Sequence, residues 1–268
     1  MRIEIKDLHY TYPGDVKALK GISLTIESGE QVAIVGQNGA GKTTLVKHLN
    51  GLLQPTSGSV LIGEWSTTEE TVAKLASRVG YVFQNPDEQL FTKNVHQEVS
   101  FGPKNLGYES EKVEALVEDA LTLTKLSDQK ETNPYDLSPT WRKMVALASI
   151  ISMDTPIIIF DEPTTGQDAA NIERMANAIA ALRERGKTVI TITHDIDFCA
   201  ENFERVIALA KGKVLLDGSA NAVLGQEEIL AQTYVDPPQL TRLGLRLGMK
   251  EVVRNQEEFL NAYKKHAA

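Results

Sequence analysis

The eight residues Gly36-Gln37-Asn38-Gly39-Ala40-Gly41-Lys42-Thr43 constrain this chain more than any other stretch. They follow the apolar run Val32-Ala33-Ile34-Val35, which reads as a buried strand, and lead into a helical pattern from Thr44 to Asn50. Glycines at this spacing let the backbone curl so that successive N–H groups point at one anion, and the following helix adds the positive end of its dipole. Lys42 supplies a point charge for the outer phosphates, and the Thr43 hydroxyl suits the magnesium ion that travels with them. A strand before and a helix after distinguish such a loop from an ordinary glycine turn. The stretch therefore predicts an α/β fold that binds a nucleoside triphosphate.

Composition narrows the remaining classes. With 28 basic against 36 acidic residues the net charge is −8, and no long basic run offsets it, which disfavours nucleic acid as a partner. The one cysteine, Cys199, excludes an intrachain disulfide framework and reads as a small core hydrophobe. Residues 1–6 alternate apolar and charged like a strand, with no apolar signal core. The longest apolar stretch, Val145 to Met153, is too short to cross a bilayer, so the expectation is a soluble, cytoplasmic chain.

Taken in order, residues 1 to 35 read as strands, with Ile22/Leu24/Ile26 alternating and Ser28-Gly29 as a turn. Between the strands lies Tyr10-Thr11-Tyr12-Pro13-Gly14. An aromatic ring ahead of a phosphate loop either stacks on a base or covers a strand edge, and the pattern does not separate the two. Ser59 to Ile62 reads as a strand, Thr67 to Ser77 as a short helix capped by Thr67 or Thr68, and Val79 to Phe83 as a buried strand ending at Gln84. From about 91 to 153 helical periodicity replaces the strands, as in Val113/Leu116/Val117/Ala120/Leu121. The last of these helices opens at Leu137-Ser138-Pro139, with Ser138 as N-cap and Pro139 in the first turn.

The sheet resumes at Pro156 to Phe160 and stops at Asp161-Glu162-Pro163. Two adjacent carboxylates at the end of an apolar strand are costly to bury uncompensated, and a magnesium site explains them better than packing. An amphipathic helix from Ala169 to Arg185, a strand from 187 to 192 and His194 at that strand's end follow. Parallel α/β sheets hold ligands at the carboxyl ends of their strands, so Gln84, Asp161, Glu162 and His194 should converge on the phosphate loop. Strands at 204 to 210 and 213 to 217 suggest a closing hairpin across Lys211-Gly212. Beyond 225 the chain turns helical and polar, broken at Pro237-Pro238.

In this order the motifs resemble those of ABC transporter ATP-binding subunits. Gly36 to Thr43, with Thr44 following, resembles Walker A, Gln84 the Q-loop glutamine, Ile157 to Glu162 Walker B with its catalytic glutamate, Thr165 to Asp168 the D-loop and His194 the switch histidine. Tyr12 resembles the aromatic that stacks on adenine. The resemblance implies a P-loop NTPase core with a mixed sheet, an antiparallel β subdomain, an inserted helical subdomain and a C-terminal extension. It divides the chain into an ATPase domain at 1–225 and a helical extension at 226–268 that contacts a partner. Phe83 to Phe91 and Pro237 to Leu243 are similar to the energy-coupling-factor subgroup, importers of vitamins and of cobalt or nickel ions. Implied with it are ATP and Mg2+, an ATPase function in a dimer, a second ATP-binding subunit, a transmembrane coupling protein, a substrate-binding membrane protein and a peripheral place on the cytoplasmic face of the membrane. In the resembled mechanism Lys42 and the loop amides hold phosphates, Thr43, Gln84 and Asp161 organise the metal, Glu162 polarises water, His194 positions the γ-phosphate, and Ser138 and Asp168 act at the dimer seam.

One departure bears on function. The family signature Leu-Ser-Gly-Gly-Gln stands here as Leu137-Ser138-Pro139-Thr140-Trp141, and Gln167 occupies a position usually held by leucine. Pro139 lacks an N–H and Thr140 adds a Cβ where glycine permits close approach, so the signature is read as weakened. A weakened signature favours a pair formed with a different, signature-intact subunit. The rival readings are a mainly regulatory nucleotide-binding subunit, for which the altered signature argues and against which Glu162 and His194 argue, an ATPase of another ABC importer class, and a soluble ABC protein of nucleic-acid repair or translation. Arg242, Arg246 and Lys250 have helical spacing and suggest a solvated face more than a lipid-facing one.

Overall fold

In the computed structural model, which describes residues 1–249 and 252–266, the described residues form ten strands and eleven α-helices, with three short 3-10 turns between them. The strands β1 (Ile3–Tyr12), β2 (Val16–Ile26) and β3 (Gln31–Val35) lead into helix α1 (Lys42–Leu49). After β4 (Ser57–Ile62), β5 (Trp65–Ser66), α2 (Val72–Leu75) and β6 (Val79–Val82), the helices α3 (Val95–Asn105), α4 (Ser110–Leu123) and α5 (Pro139–Ile151) form the insertion. The sheet resumes with β7 (Ile157–Asp161), followed by α6 (Ala169–Glu184), β8 (Thr188–Thr193), α7 (Ile196–Asn202), β9 (Arg205–Ala210) and β10 (Lys213–Ser219). Helices α8 (Ala220–Leu224), α9 (Glu227–Ala231), α10 (Gln239–Arg246) and α11 (Gln256–His266) complete it.

Strands β10-β9-β3-β8-β7-β6 make one sheet, parallel from β9 to β6 with β10 antiparallel at its edge. Strands β2-β1-β4-β5 make a second, antiparallel sheet. The central strands β3, β7 and β8 are buried along their whole length, as expected of parallel strands covered on both faces. Their alternation divides the interior. Val32, Ile34, Ile157, Ile159, Ile190 and Ile192 face the antiparallel sheet and α1. Ala33, Val35, Ile158, Phe160 and Val189 face the other way, onto a core shared with Val99, Val117 and Met144 of the insertion. The helical insertion is thus joined to the sheet by a continuous core, and α5 is its inner member. Because β3, β8, β7 and β6 run parallel, residues 36, 194, 162 and 84 leave the sheet at the same edge.

One local expectation is corrected. The helix foreseen over Thr67 to Ser77 is reduced to Val72–Leu75, capped by Thr71, whose side chain accepts from the Lys74 N–H. Thr67 is still part of the sheet edge: its N–H donates to Val60, and the N–H groups of Glu69 and Glu70 turn back to Ser66, so helical bonding starts later. Cys199 is fully buried, as expected of a core hydrophobe, and burial pushes its thiol pKa well up. In the C-terminal part, Leu240 and Phe259 pack on Met249, Val253 and Ala262 in a small core of their own. Arg242 pairs with Asp236 at 2.9 Å, while Lys250 lies outside the described residues. Among the described residues no helix is long and apolar enough to cross a membrane.

Candidate functional site

The phosphate loop is shaped by backbone that only glycine accepts at two points. Gly36 has φ +149°, and a Cβ there would sit on the Leu209 carbonyl of β9. Gly41 has φ +105° and would press on Leu19 and the Ala18 carbonyl. At Gly36 and Gly41 the loop therefore packs against the sheet and the antiparallel layer with no room for a Cβ, and the Gln37 and Ala40 N–H groups are taken by the Thr233 and Gln37 carbonyls at 3.1 Å each. Lys42 is buried, its Nζ donating to the Gly36 carbonyl at 2.7 Å and the Gln37 carbonyl at 3.3 Å and lying 3.7 Å from Glu162 Oε1.

Glu162 lies between two cationic or proton-bearing partners. Its Oε2 is 2.8 Å from His194 Nδ1 and accepts the His194 backbone N–H at 3.3 Å, while Oε1 faces Lys42. Its backbone sits in the left-handed region at φ +48°, which costs a residue with a side chain on the order of 1–3 kcal/mol. Two sets of bonds fix it there. The Glu162 N–H donates to Ile192 at 2.8 Å, and its carbonyl accepts from Lys143 Nζ at 2.6 Å and from the Thr165 N–H at 3.3 Å. The carboxylate is thereby turned from the end of β7 toward the end of β8 and the phosphate loop.

Asp161 is buried, and burial raises its pKa against the opposing hydrogen bond from Tyr81. Its Oδ2 accepts from Tyr81 Oη at 2.6 Å, but its Oδ1 is buried without any partner. An orphaned carboxylate oxygen beside the Thr43 hydroxyl is a donor set of hard oxygens, which fits Mg2+.

Lys42, Thr43, Glu162 and His194 line a cavity of about 340 Å³ together with Gln37, Asn38, Gly39, Gly41, Thr44, Gln84 and Thr165, while Gly36, Ala40 and Asp161 are outside its lining. Of the residues singled out by sequence, Tyr12 is outside this lining but joined to it, its Oη lying 3.1 Å from Thr44 Oγ1. Ser138 and Asp168 are not brought to the cavity within one chain. Ser138 caps α5, accepting the Trp141 N–H at 3.5 Å, and Asp168 caps α6, accepting the Asn171 N–H at 2.8 Å.

Tyr81 and Lys143 were not foreseen. Tyr81 is recoverable from sequence, since it lies in the strand paired with the one that closes on Asp161, opposite Ile159, and alternation turns Ile159 and Asp161 to the same face. Lys143 carries no such signal. It is 2 % exposed, and burial lowers its ammonium to about 8 despite the nearby Asp161 and Glu162.

Residues 19–165 match the family model described as ABC transporter. The chain is 38 % identical over 274 residues, 99 % of each sequence, to the energy-coupling factor transporter ATP-binding protein EcfA of Methanoculleus marisnigri. It is 41 % identical to the cobalt import ATP-binding protein CbiO of Rhodobacter capsulatus over 89 % of this chain and 86 % of the relative. The structure of cbiO1 from Clostridium perfringens, part of the ABC transporter complex cbiONQ, superposes with a TM-score of 0.78 at 33 % identity, covering 92 % of this chain and 95 % of that one. A match through the segment that builds the phosphate loop and the end of β7, continued almost end to end in the full-length relative, means that the chain belongs to the ABC transporter family, as an ABC-type ATPase resembling the energy-coupling-factor subunits.

Proposed function

We propose that this chain is one of two unlike ATP-binding subunits whose hydrolysis of MgATP drives a membrane importer of the energy-coupling-factor type, taking up a vitamin or a transition-metal ion. The observation that carries the reading is the contrast between its two ends of a shared site. On its own side the hydrolytic groups are complete, with Glu162 held between Lys42 and His194. On the side offered to a partner, the exposed start of α5 has Ser138 followed by Pro139, which has no N–H to give, and the Ser138 hydroxyl lies 2.9 Å from that of Thr140.

In this reading the loop amides and Lys42 hold the β- and γ-phosphates, and the aromatic ring of Tyr12 covers the adenine. Bound magnesium, held by Thr43, Asp161 and Gln84, offsets charge on the transferring phosphoryl group. Glu162 orients and polarises the attacking water, and His194, fixed through Nδ1 on Glu162, presents its other nitrogen toward the phosphate. The transmembrane partner docks on the loop after Gln84, where Phe91 and Phe101 stand exposed in an edge-to-face pair 4.7 Å apart beside Tyr135, whose Oη donates to the Leu90 carbonyl at 2.7 Å. Exposed aromatics of this kind suit a helix of a membrane protein. The chain then works peripherally at the cytoplasmic face, with 1–225 as its ATPase domain and 226–268 as a partner contact.

The test is to purify the tagged chain in mild detergent from its native membrane and identify its stoichiometric companions. The expected set is a second ATP-binding subunit with an intact Leu-Ser-Gly-Gly-Gln signature together with membrane-spanning subunits. Recovery of a homodimer on a membrane protein, with no second ATP-binding subunit, would overturn the asymmetric reading.

A further inference from the structure

Lys143 lies five residues beyond Ser138 on α5, inside the protein, and its Nζ donates to two carbonyls from separate strand ends: Gln84 at 3.1 Å, after β6, and Glu162 at 2.6 Å, after β7. Among the described residues it forms no ion pair, because no carboxylate oxygen lies within reach of Nζ, although Asp161 and Glu162 are near enough to favour its charge. A buried ammonium without a paired carboxylate is unfavourable, and a methionine would fill the same slot without that cost. Packing alone does not account for a lysine here. What the lysine supplies is donors. Gln84 and Glu162 each present a main-chain oxygen to the interior at a point where the chain leaves the sheet, and Glu162 does so from a left-handed backbone that persists only if its surroundings hold it.

We propose that Lys143 is a positioning residue for ATP hydrolysis: its ammonium clamps the Gln84 and Glu162 carbonyls, fixes the backbone turn that aims the Glu162 carboxylate at Lys42 and His194, and ties both loops to the helix begun by Ser138. The clamp acts on the Gln84 and Glu162 turns, whereas the phosphate loop is set by the backbone of Gly36 and Gly41 and Lys42 is held by the Gly36 and Gln37 carbonyls. Loss of the clamp therefore lowers turnover and spares nucleotide affinity. The inference rests on the reading of Glu162 as the residue that orients water.

Two substitutions separate donors from packing and charge. Lys143→Met and Lys143→Gln both remove the charge and both fit the slot, but only glutamine retains N–H donors. In the assembly that turns over ATP, kcat per nucleotide-binding site should fall at least ~10-fold in Lys143→Met, since misplacement by about 1 Å is able to cost ~100-fold. The Kd for ATP should stay within about twofold, and Lys143→Gln should recover at least ~3-fold of the lost kcat, on the same differential-binding logic. Lys143→Met with undiminished kcat overturns the proposal. Equal kcat losses in the two variants, or a loss of ATP affinity as large as that of kcat, overturn it as well, because they assign the residue to packing or binding. Glu162→Gln, measured alongside, distinguishes the two levels: if it keeps full turnover, the reading of Glu162 fails, whereas its inactivity beside a fully active Lys143→Met sinks the clamp alone.

Discussion

Two aromatic side chains packed on Tyr10 make separable predictions. Tyr12 is about one third exposed, packs edge to face on Tyr10, and is tied by its hydroxyl to Thr44 on α1. If its ring stacks on adenine, Tyr12→Ala should weaken ATP binding by about 1–3 kcal/mol. Tyr12→Phe, which keeps the ring and loses only the Thr44 bond, should stay close to wild type in a nucleotide titration. Behind Tyr10 lies His48, fully buried, with Nδ1 2.7 Å from the Thr44 carbonyl and Nε2 without a partner. Nδ1 is therefore the protonated nitrogen of a neutral ring, and burial lowers the His48 pKa below its ordinary 6.5. The unfolded chain then takes up a proton on this residue before the folded one does. Stability from this source is full above 6.5 and is lost as pH falls from there through the folded value. In urea denaturation at about pH 7.5 and about pH 5.5, His48→Leu should lose less stability between the two than wild type does. An equal loss would assign the acid sensitivity elsewhere. Residues such as Lys42, Asp161 and Glu162 were legible in the sequence because their chemistry demands particular types at particular spacings. Lys143 was not, because its role is set by two carbonyls that lie 59 and 19 residues away along the chain.

The elements around Gln84 and α5 behave as one unit for reasons that only the packing reveals. Arg142 pairs with Asp87 at 2.7 Å, and Gln89 donates to the Ala146 carbonyl at 2.8 Å and to Ser149 Oγ at 3.0 Å while accepting the Phe83 N–H at 3.1 Å. The loop that follows Gln84 is thus stapled to the signature helix, so a displacement of one carries the other. Sequence placed the strands and helices well, since β7 and β8 are long apolar runs and Ser138-Pro139 is a strong helix start. It did not show that Asp87 has an internal partner. Charge reversal at Asp87 would break that pair as well as alter the surface, so it is a poor probe of docking. Glu88 is exposed and has no ion-pair partner among the described residues, and Phe91 is exposed by 61 %. Glu88→Lys with Phe91→Ser should abolish substrate uptake by the assembled importer while ATP hydrolysis persists. Uptake at the wild-type rate would place the docking surface elsewhere.

At the scale of the whole molecule, the C-terminal part is less remote from the nucleotide site than its polar composition suggested. The Thr233 carbonyl accepts the Gln37 N–H of the phosphate loop at 3.1 Å, and the Gln239 N–H donates to Asp197 Oδ1 just beyond His194 at 3.1 Å. No short-range pattern announces a contact between Gln37 and Thr233, residues almost 200 apart, or one between Asp197 and Gln239. The asymmetry of the proposed pair is also a property of the whole assembly, because in the dimer that the resemblance implies each ATP lies between one subunit's Walker motifs and the other's signature. Altered residues at the start of α5 then leave this chain's own Lys42 and Glu162 site unharmed and weaken the opposite one. Trp141 is no obstacle in itself: it is half-buried against the core with Arg174 over its ring at 4.8 Å, so the deficit falls on Pro139 and Thr140. Losing a donor to transition-state charge costs about 3 kcal/mol, or roughly 100-fold in rate, enough to make one of two sites carry nearly all turnover. In a mixed pair the fast site is the one built on this chain's Glu162 and the partner's intact glycines. Glu162→Gln here should abolish ATPase activity, and the equivalent change in the partner should spare most of it. Equal losses, or a purified homodimer with full activity, would mean that Ser138-Pro139-Thr140-Trp141 serves as a working signature and that both sites fire.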